Sequence, residues 1–162
     1  MNGIGVTLRA LHDGERDLET DLLAVAERHR TEHEVHHVAT DVARWSREHA
    51  ARLAALGADR GVELSGPRDH TPGALTALRE KAAQALGRRP ETGLLLLGDL
   101  RDLHLAAVRN SLHWEMLAQT AQATRDRELL DLATDCHPQT LRQMRWTNTM
   151  IKVLSPQLLV SV

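Results

Sequence analysis

The sequence predicts an all-α protein folded as an antiparallel bundle of four main helices. Ala, Leu, Arg, Glu and Gln, which favour helices, dominate the chain, whereas strand-forming aromatic residues are scarce, with no Tyr, no Phe and 2% aromatic content. Apolar residues also recur at steps of three and four, the spacing of one helix face. With 162 residues and 42% hydrophobic content, we expect a single helical-bundle domain, residues 1–162, around one core.

The first apolar stripe predicts helix one. Glu15 interrupts this stripe, and His29 stands where it ends. Thr31-Glu32-His33-Glu34 has the form of a capping box, which predicts that a second helix starts there and turns back on the first. No Gly or Pro separates Gly14 from Gly57, so one continuous helix also fits; we favour a hairpin because long uncapped helices are rarer in small domains. The stripe consists of Ile4, Leu8, Leu11, Leu18, Leu22 and Val25.

Three more stripes predict the other helices. Helix two carries Val35, Val38, Val42, Trp45, His49 and Leu53 or Leu56. Helix three, from about Leu94 to Thr124, carries Leu95, Asp99, Leu103, Ala106, Leu112 or His113, and Leu117. Helix four, from about Arg127 to Leu154, carries Leu129, Leu132, Cys136, Met144, Thr147 and Ile151. Pro138 predicts a kink or break in helix four, and Pro156 is expected to end it, which leaves residues 158–162 as an apolar tail packed on the bundle or a neighbour.

The segment from Gly57 to Gly93 is predicted to be a long connector, because it holds six of the ten glycines together with Pro67, Pro72 and Pro90. A short helix is expected inside it, from Ala74 to Leu86. The resulting order of hairpin, long connector and hairpin resembles the ferritin-like superfamily, in which a crossover between helices two and three lets two hairpins pack as one bundle. The resemblance covers nearly the whole chain at the level of architecture.

Ferritin-like di-iron proteins take one carboxylate from each of two helices and Glu-x-x-His from each of the other two. Glu15 stands where the first glutamate of such a family would point inward. Helix two offers Glu34-Val35-His36-His37, although Glu34 also suits capping of the first helical turn. Helix four has no Glu-x-x-His, because Thr134 and Pro138 follow Asp131 and Asp135 at the required spacing. The fourth ligand pair of the family is therefore missing.

Turns near residues 30–31 and 125–126 would bring the remaining groups toward the middle of the bundle. At about 1.5 Å of rise per residue, Glu15 and Glu19 fall level with positions 42–47, and His113 falls beside His137. The resemblance then implies a metal site for iron, manganese or zinc. Its candidate ligands are Glu15, Glu19, His37, Asp41, His113 and His137. The competing interpretation is that these residues are hydrogen-bonding or solvent-facing groups, as most helical His and Asp are.

Two short motifs that suggest a specific chemistry are weaker evidence for function. His33-Glu34-Val35-His36-His37 fits the H-E-x-x-H of zinc proteases, but residues 29–33 fit the inverted form equally well, and two incompatible matches in nine residues indicate chance. Cys136 beside His137 suggests an activated thiol, yet adjacent helical residues point about 100° apart. A buried structural cysteine is the better interpretation. As the only cysteine, Cys136 also excludes an internal disulfide.

The formal charge of −2, with acids and bases interspersed, argues against a nucleic-acid partner. No segment approaches the roughly 18 apolar residues of a membrane span, and the N-terminus does not resemble a signal peptide. We therefore expect a cytoplasmic protein of bacterial type that binds itself or a protein partner. The favoured function is a scaffold without a complete di-iron site; the alternative is a metal-binding oxidoreductase or metal-storage protein, and the sequence leaves enzymatic activity open.

Overall fold

The computed structural model describes residues 2–65 and 91–160. Within these ranges the chain forms four α-helices and no strand: α1 is Gly3–Arg28, α2 is His33–Asp59, α3 is Thr92–Thr124 and α4 is Arg127–Val160. The predicted helical class is confirmed. Most of the predicted connector, including its short helix over residues 74–86, lies outside the described residues, and Gly57, its expected start, belongs to the last turn of α2.

Each of the four helices packs against two others. Helix α1 contacts α2 and α3, and helix α4 contacts α3 and α2. This closed cycle of neighbours is the packing pattern of a four-helix bundle. The two sequence-adjacent pairs, α1 with α2 and α3 with α4, share the most extensive contacts.

The turn between α1 and α2 lies where the sequence predicts it. Helix α1 ends at Arg28 and α2 begins at His33, so the chain does not continue as one rod. The predicted capping box is wrong, because Glu32 rather than Thr31 occupies the N-cap and makes no side-chain capping bond. The turn is held instead by the His36 ring, whose Nδ1 lies 2.8 Å from the Ala26 carbonyl oxygen.

The turn between α3 and α4 lies at the predicted residues 125 and 126. Arg125 adopts the left-handed conformation (φ 57°) that commonly ends helices. Asp126 then caps α4, because its Oδ1 accepts a hydrogen bond from the Leu129 amide at 3.2 Å. Arg60, just past α2, makes a two-point ion pair with Asp126 and lowers the pKa of that carboxyl group through this hydrogen bond. The end of α2 is thus fastened to the start of α4.

Helix α4 is longer than the sequence predicts, since it runs to Val160 rather than to about Leu154. Its residues stay helical through both Pro138 and Pro156. The predicted stop at Pro156 is therefore wrong, and of the kink or break predicted near Pro138 the break is wrong. Pro138 is exposed, which lets the carbonyl group that loses its helical partner face water rather than the core. Within the tail, Leu158 belongs to the helix and packs on the bundle core.

Among residues 2–65 and 91–160 the core consists of two apolar clusters. The first lies toward the α1–α2 turn and includes Leu18, Leu22, Val25, Val35, Ala39, Leu96, Leu100, Leu103 and Met150. The second lies toward the α3–α4 turn and includes Leu8, Leu11, Leu53, Leu56, Trp114, Leu117, Leu129 and Leu132. The α1 stripe is therefore buried as predicted, except that Ile4 is only partly covered. In α3 neither Leu112 nor His113 is buried; Asn110, Ser111 and Trp114 face inward instead.

Candidate functional site

A layer of buried polar side chains separates the two apolar clusters in the middle of the bundle. On every helix these residues lie between members of the first cluster and members of the second. All are at most 8% exposed, so their polar atoms are shielded from bulk water. Within the described residues, several of these atoms have no hydrogen-bond partner, among them Glu15 Oε2, Thr140 Oγ1 and Gln143 Oε1. We call this set the polar layer: Glu15, Glu19, Ser46, His49, Asn110, Ser111, Thr140 and Gln143.

The centre of the polar layer is formed by Glu15 and His49. Trp114 Nε1 donates a hydrogen bond to Glu15 Oε1 at 3.0 Å, and His49 Nδ1 lies 3.3 Å from the same oxygen. On the other side of its ring, His49 Nε2 lies 2.8 Å from Gln139 Oε1. Both ring nitrogens therefore face oxygen acceptors, the arrangement that suits a doubly protonated imidazolium. One network thus joins all four helices.

The electrostatics of this centre favour the charged form of His49. Burial alone would lower its pKa, but hydrogen bonding to Cys136 and Glu15, together with their charges, raises the pKa to about 10. Cys136 also lies 3.8 Å from a guanidinium nitrogen of Arg52, which binds Asp135 at 2.8 Å. The thiol thus meets His49 and Arg52 rather than its sequence neighbour. The centre is therefore an enclosed ion pair.

The six predicted metal ligands occupy three different settings. Glu15 and Glu19 lie in the polar layer, where Glu19 Oε1 accepts a hydrogen bond from exposed Arg47 at 3.1 Å. His37 and Asp41 are exposed near the start of α2. His37 lies twelve residues from His49 along this helix, roughly 18 Å away. The interior carboxylates and these two residues therefore do not face one another.

The remaining two predicted ligands lie on the α3–α4 side. His113 is partly buried, and burial together with the charge of Arg109 lowers its pKa. His137 Nε2 lies 2.8 Å from Ser111 Oγ, and its Nδ1 lies 3.7 Å from Glu115 Oε2. Across the described ranges, 2–65 and 91–160, no group of three or more His, Cys, Asp or Glu side chains is placed to hold a metal ion.

The apolar stripes of the sequence predict two residues of the polar layer independently of any metal site. Glu15 interrupts one apolar stripe, and His49 belongs to another, so both positions predict an inward side chain. Their pairing depends on the relative rotation of α1 and α2, which the stripes do not specify. Asp99 is a comparable case: it belongs to the α3 stripe and binds the buried His29 ring at 2.8 Å. Arg28 Nε lies 3.6 Å from the same carboxylate oxygen.

The outer surface of α3 and α4 is unusually apolar. Among the described residues, nine large hydrophobic side chains are exposed; eight belong to these two helices, one to α1 and none to α2. On α3 they are Leu94, Leu105, Leu112 and Met116, and on α4 they are Leu141, Val153, Leu159 and Val160. Exposed apolar residues concentrated on two neighbouring helices indicate an interaction surface rather than ordinary scatter.

Comparisons with protein-family models, curated proteins and solved structures find no match to this chain. None of the helices in the described ranges combines the length and apolar content needed to cross a membrane.

Proposed function

We propose that this protein is a ferritin-like scaffold that associates with itself through the outer surface of α3 and α4. The observation that carries the proposal is the uneven distribution of exposed hydrophobic residues, eight of nine being on one hairpin. Leaving such side chains in water costs about 1.5–3 kcal/mol for each fully exposed large residue relative to burial. Association offsets this cost by burying these side chains. Helix α2 exposes no large hydrophobic residue among the described residues, so binding there would bury none.

The antiparallel orientation in this proposal is supported by contacts between neighbouring helices. Glu15 and Glu19 of α1 contact His49 and Arg47 of α2, so residue numbers rise along one helix as they fall along the other. In α3 and α4, His104 contacts the Met144 carbonyl group while Ser111 contacts His137, again with opposite numbering. A polar layer at mid-bundle is also where ferritin-like proteins carry functional groups.

The side-chain atoms of Glu15 and His49 that could bind a metal ion do not favour the metal-binding alternative, which stays a prediction. One oxygen of Glu15 already accepts the Trp114 hydrogen bond and faces His49. His49, with both nitrogens directed at acceptors, has no lone pair to offer a metal ion while it is protonated. Among the described residues, Glu15 Oε2 and His49 Nδ1 both lack a hydrogen-bond partner, and one carboxylate oxygen with one ring nitrogen does not make a two-metal centre. The residues present thus fit an internal ion pair better than a di-iron pair.

The proposal is tested by light scattering coupled to size-exclusion chromatography at micromolar concentration. We expect the native chain to exceed the 18.0 kDa of one copy. Leu105→Glu/Leu112→Glu should elute as a single copy with unchanged helix content, because both side chains are exposed. Val6→Glu is the matched control, since Val6 is equally exposed but lies on α1. Equal masses for all three proteins would refute the proposal.

A further inference from the structure

Two histidines, His33 and His37, stand one helical turn apart at the start of α2. Both side chains are exposed, and among the described residues they are the only exposed histidines. Their ring centres lie 6.3 Å apart, and the ring planes are within 10° of parallel. No hydrogen bond or ion pair joins either ring to another described residue. The nitrogen lone pairs of this histidine pair are therefore free to bind a ligand from solution.

The spacing of the histidine pair suits a single metal ion. Residues four apart on a helix lie on the same face as neighbours. Metal–nitrogen distances of about 2.0–2.1 Å hold the centres of two rings on one ion roughly 5–6 Å apart, because each centre lies about 1 Å beyond its nitrogen. The observed 6.3 Å is just above this range. A small rotation of either exposed side chain closes the difference.

The surroundings of the histidine pair also favour a cation. Glu34 lies in the first turn of α2 and Glu32 is the N-cap, and both are exposed. Their negative charges oppose the positive end of the helix dipole, which by itself would repel a cation. His36 lies between the two histidines in sequence, but its hydrogen bond to the Ala26 carbonyl group holds it toward the α1–α2 turn. Two imidazoles, rather than three, thus face the ion.

We propose that His33 and His37 form a surface site for one divalent transition-metal ion, with water in the remaining coordination positions. Imidazole suits Cu²⁺, Ni²⁺ and Zn²⁺, whereas Mg²⁺ and Ca²⁺ prefer oxygen ligands. Two ligands should give about half the binding free energy of a four-ligand zinc site, which corresponds to a dissociation constant on the order of 10 µM. The site involves neither the polar layer nor self-association.

Titration calorimetry with Ni²⁺ alone tests the proposal on the full chain after treatment with a chelator. We expect one ion per chain, with no competition from Mg²⁺. His33→Ala and His37→Ala should each weaken binding at least about tenfold, because a single imidazole remains. Circular dichroism should show unchanged helix content, since both side chains are exposed. A native chain that does not bind Ni²⁺, or unchanged affinity in both variants, would overturn the site.

Asp41 provides a matched control, because it is exposed and lies four residues after His37. Asp41→Asn should leave the affinity within about twofold. A loss as large as that of His33→Ala would place the ion between His37 and Asp41 and overturn the histidine pair. His33→Ala/Asp41→His restores two imidazoles at the same spacing one turn further along α2, and should recover the native affinity within about threefold. No recovery would contradict the role of this spacing.

The paramagnetic ion Cu²⁺ locates the site directly. In two-dimensional amide NMR spectra, a small fraction of Cu²⁺ should broaden the signals of residues 33–37 before those around Glu15. Broadening that begins around Glu15 and His49 would overturn the surface site and support a metal ion in the polar layer instead. Neither affinity nor broadening measures the mass of the protein, so failure of the metal site and failure of self-association are distinguishable.

Discussion

We expect the buried pair of Glu15 and His49 to make the free energy of unfolding fall as pH rises into the alkaline range. The folded chain raises the pKa of His49 to about 10, from the ordinary 6.5, because hydrogen bonds and charges from Cys136 and Glu15 outweigh the cost of burial. The contribution of the pair is therefore complete below pH 6.5, where both states hold the proton. It is lost as pH rises toward 10, because the unfolded chain releases the proton first.

The expected change is large for a single group. Each pKa unit is worth about 1.4 kcal/mol, so the rise to about 10 corresponds to a loss on the order of 4 kcal/mol between pH 6.5 and 10. Domains of this size are stable by about 5–15 kcal/mol, so the loss should shift the unfolding midpoint clearly. No tyrosine contributes to this window, since the chain has none. His12 and His113, whose pKa values burial lowers, titrate in acid instead.

The assay is urea unfolding followed by circular dichroism at several pH values. Glu15→Gln/His49→Gln is the matched control, because it removes both charges and keeps hydrogen-bonding side chains of similar size. The native chain should lose stability steeply over the window, whereas the control should change little. Parallel pH profiles for the two proteins would refute a charged His49 in the core.

Three further expectations follow from the contacts. A Cβ on Gly14 would overlap the Asn110 side-chain oxygen, so Gly14→Ala should lower the melting temperature, but should raise stability by about 0.5–1 kcal/mol in an Asn110→Ala background; stabilisation in both backgrounds would contradict the close contact. Leu100→Ala should cost about 2–5 kcal/mol, because Leu100 is fully buried, whereas exposed Leu105→Ala should stay within about 0.5 kcal/mol at monomeric dilution; equal losses in urea unfolding would oppose the assigned faces. Elemental analysis of protein purified without added metal should find substoichiometric iron, manganese and zinc, and stoichiometric metal that Glu15→Ala removes would support the metal-binding alternative instead.

The helices and their turns could be predicted from the sequence because they depend on local patterns. The α1 stripe from Leu8 to Val25 has one apolar side and one polar side, so its buried face is unambiguous. Helix α3 is apolar on two sides, inside at Leu103 and outside at Leu105, and periodicity alone did not identify the inward residues beyond Ala106. The break predicted at Pro138 and the stop predicted at Pro156 are wrong for a related reason. The effect of a proline depends on whether the carbonyl group that loses its hydrogen bond faces solvent.

The polar layer could be predicted only in part. A charged residue inside an apolar stripe indicates that Glu15 points inward, but not which group neutralises it. His49 reaches Glu15 because α1 and α2 meet with these faces together, and Trp114 arrives from a third helix. Such contacts depend on the rotation and relative height of whole helices. Motif spacing instead directed attention to His37 and Asp41, which the structure places at the surface.

Sedimentation equilibrium of the unmodified chain tests the central claim most directly. Self-association through the outer surface of α3 and α4 predicts a mass that rises above 18.0 kDa as concentration increases through the micromolar range. A mass that stays at 18.0 kDa across the whole range would contradict the account.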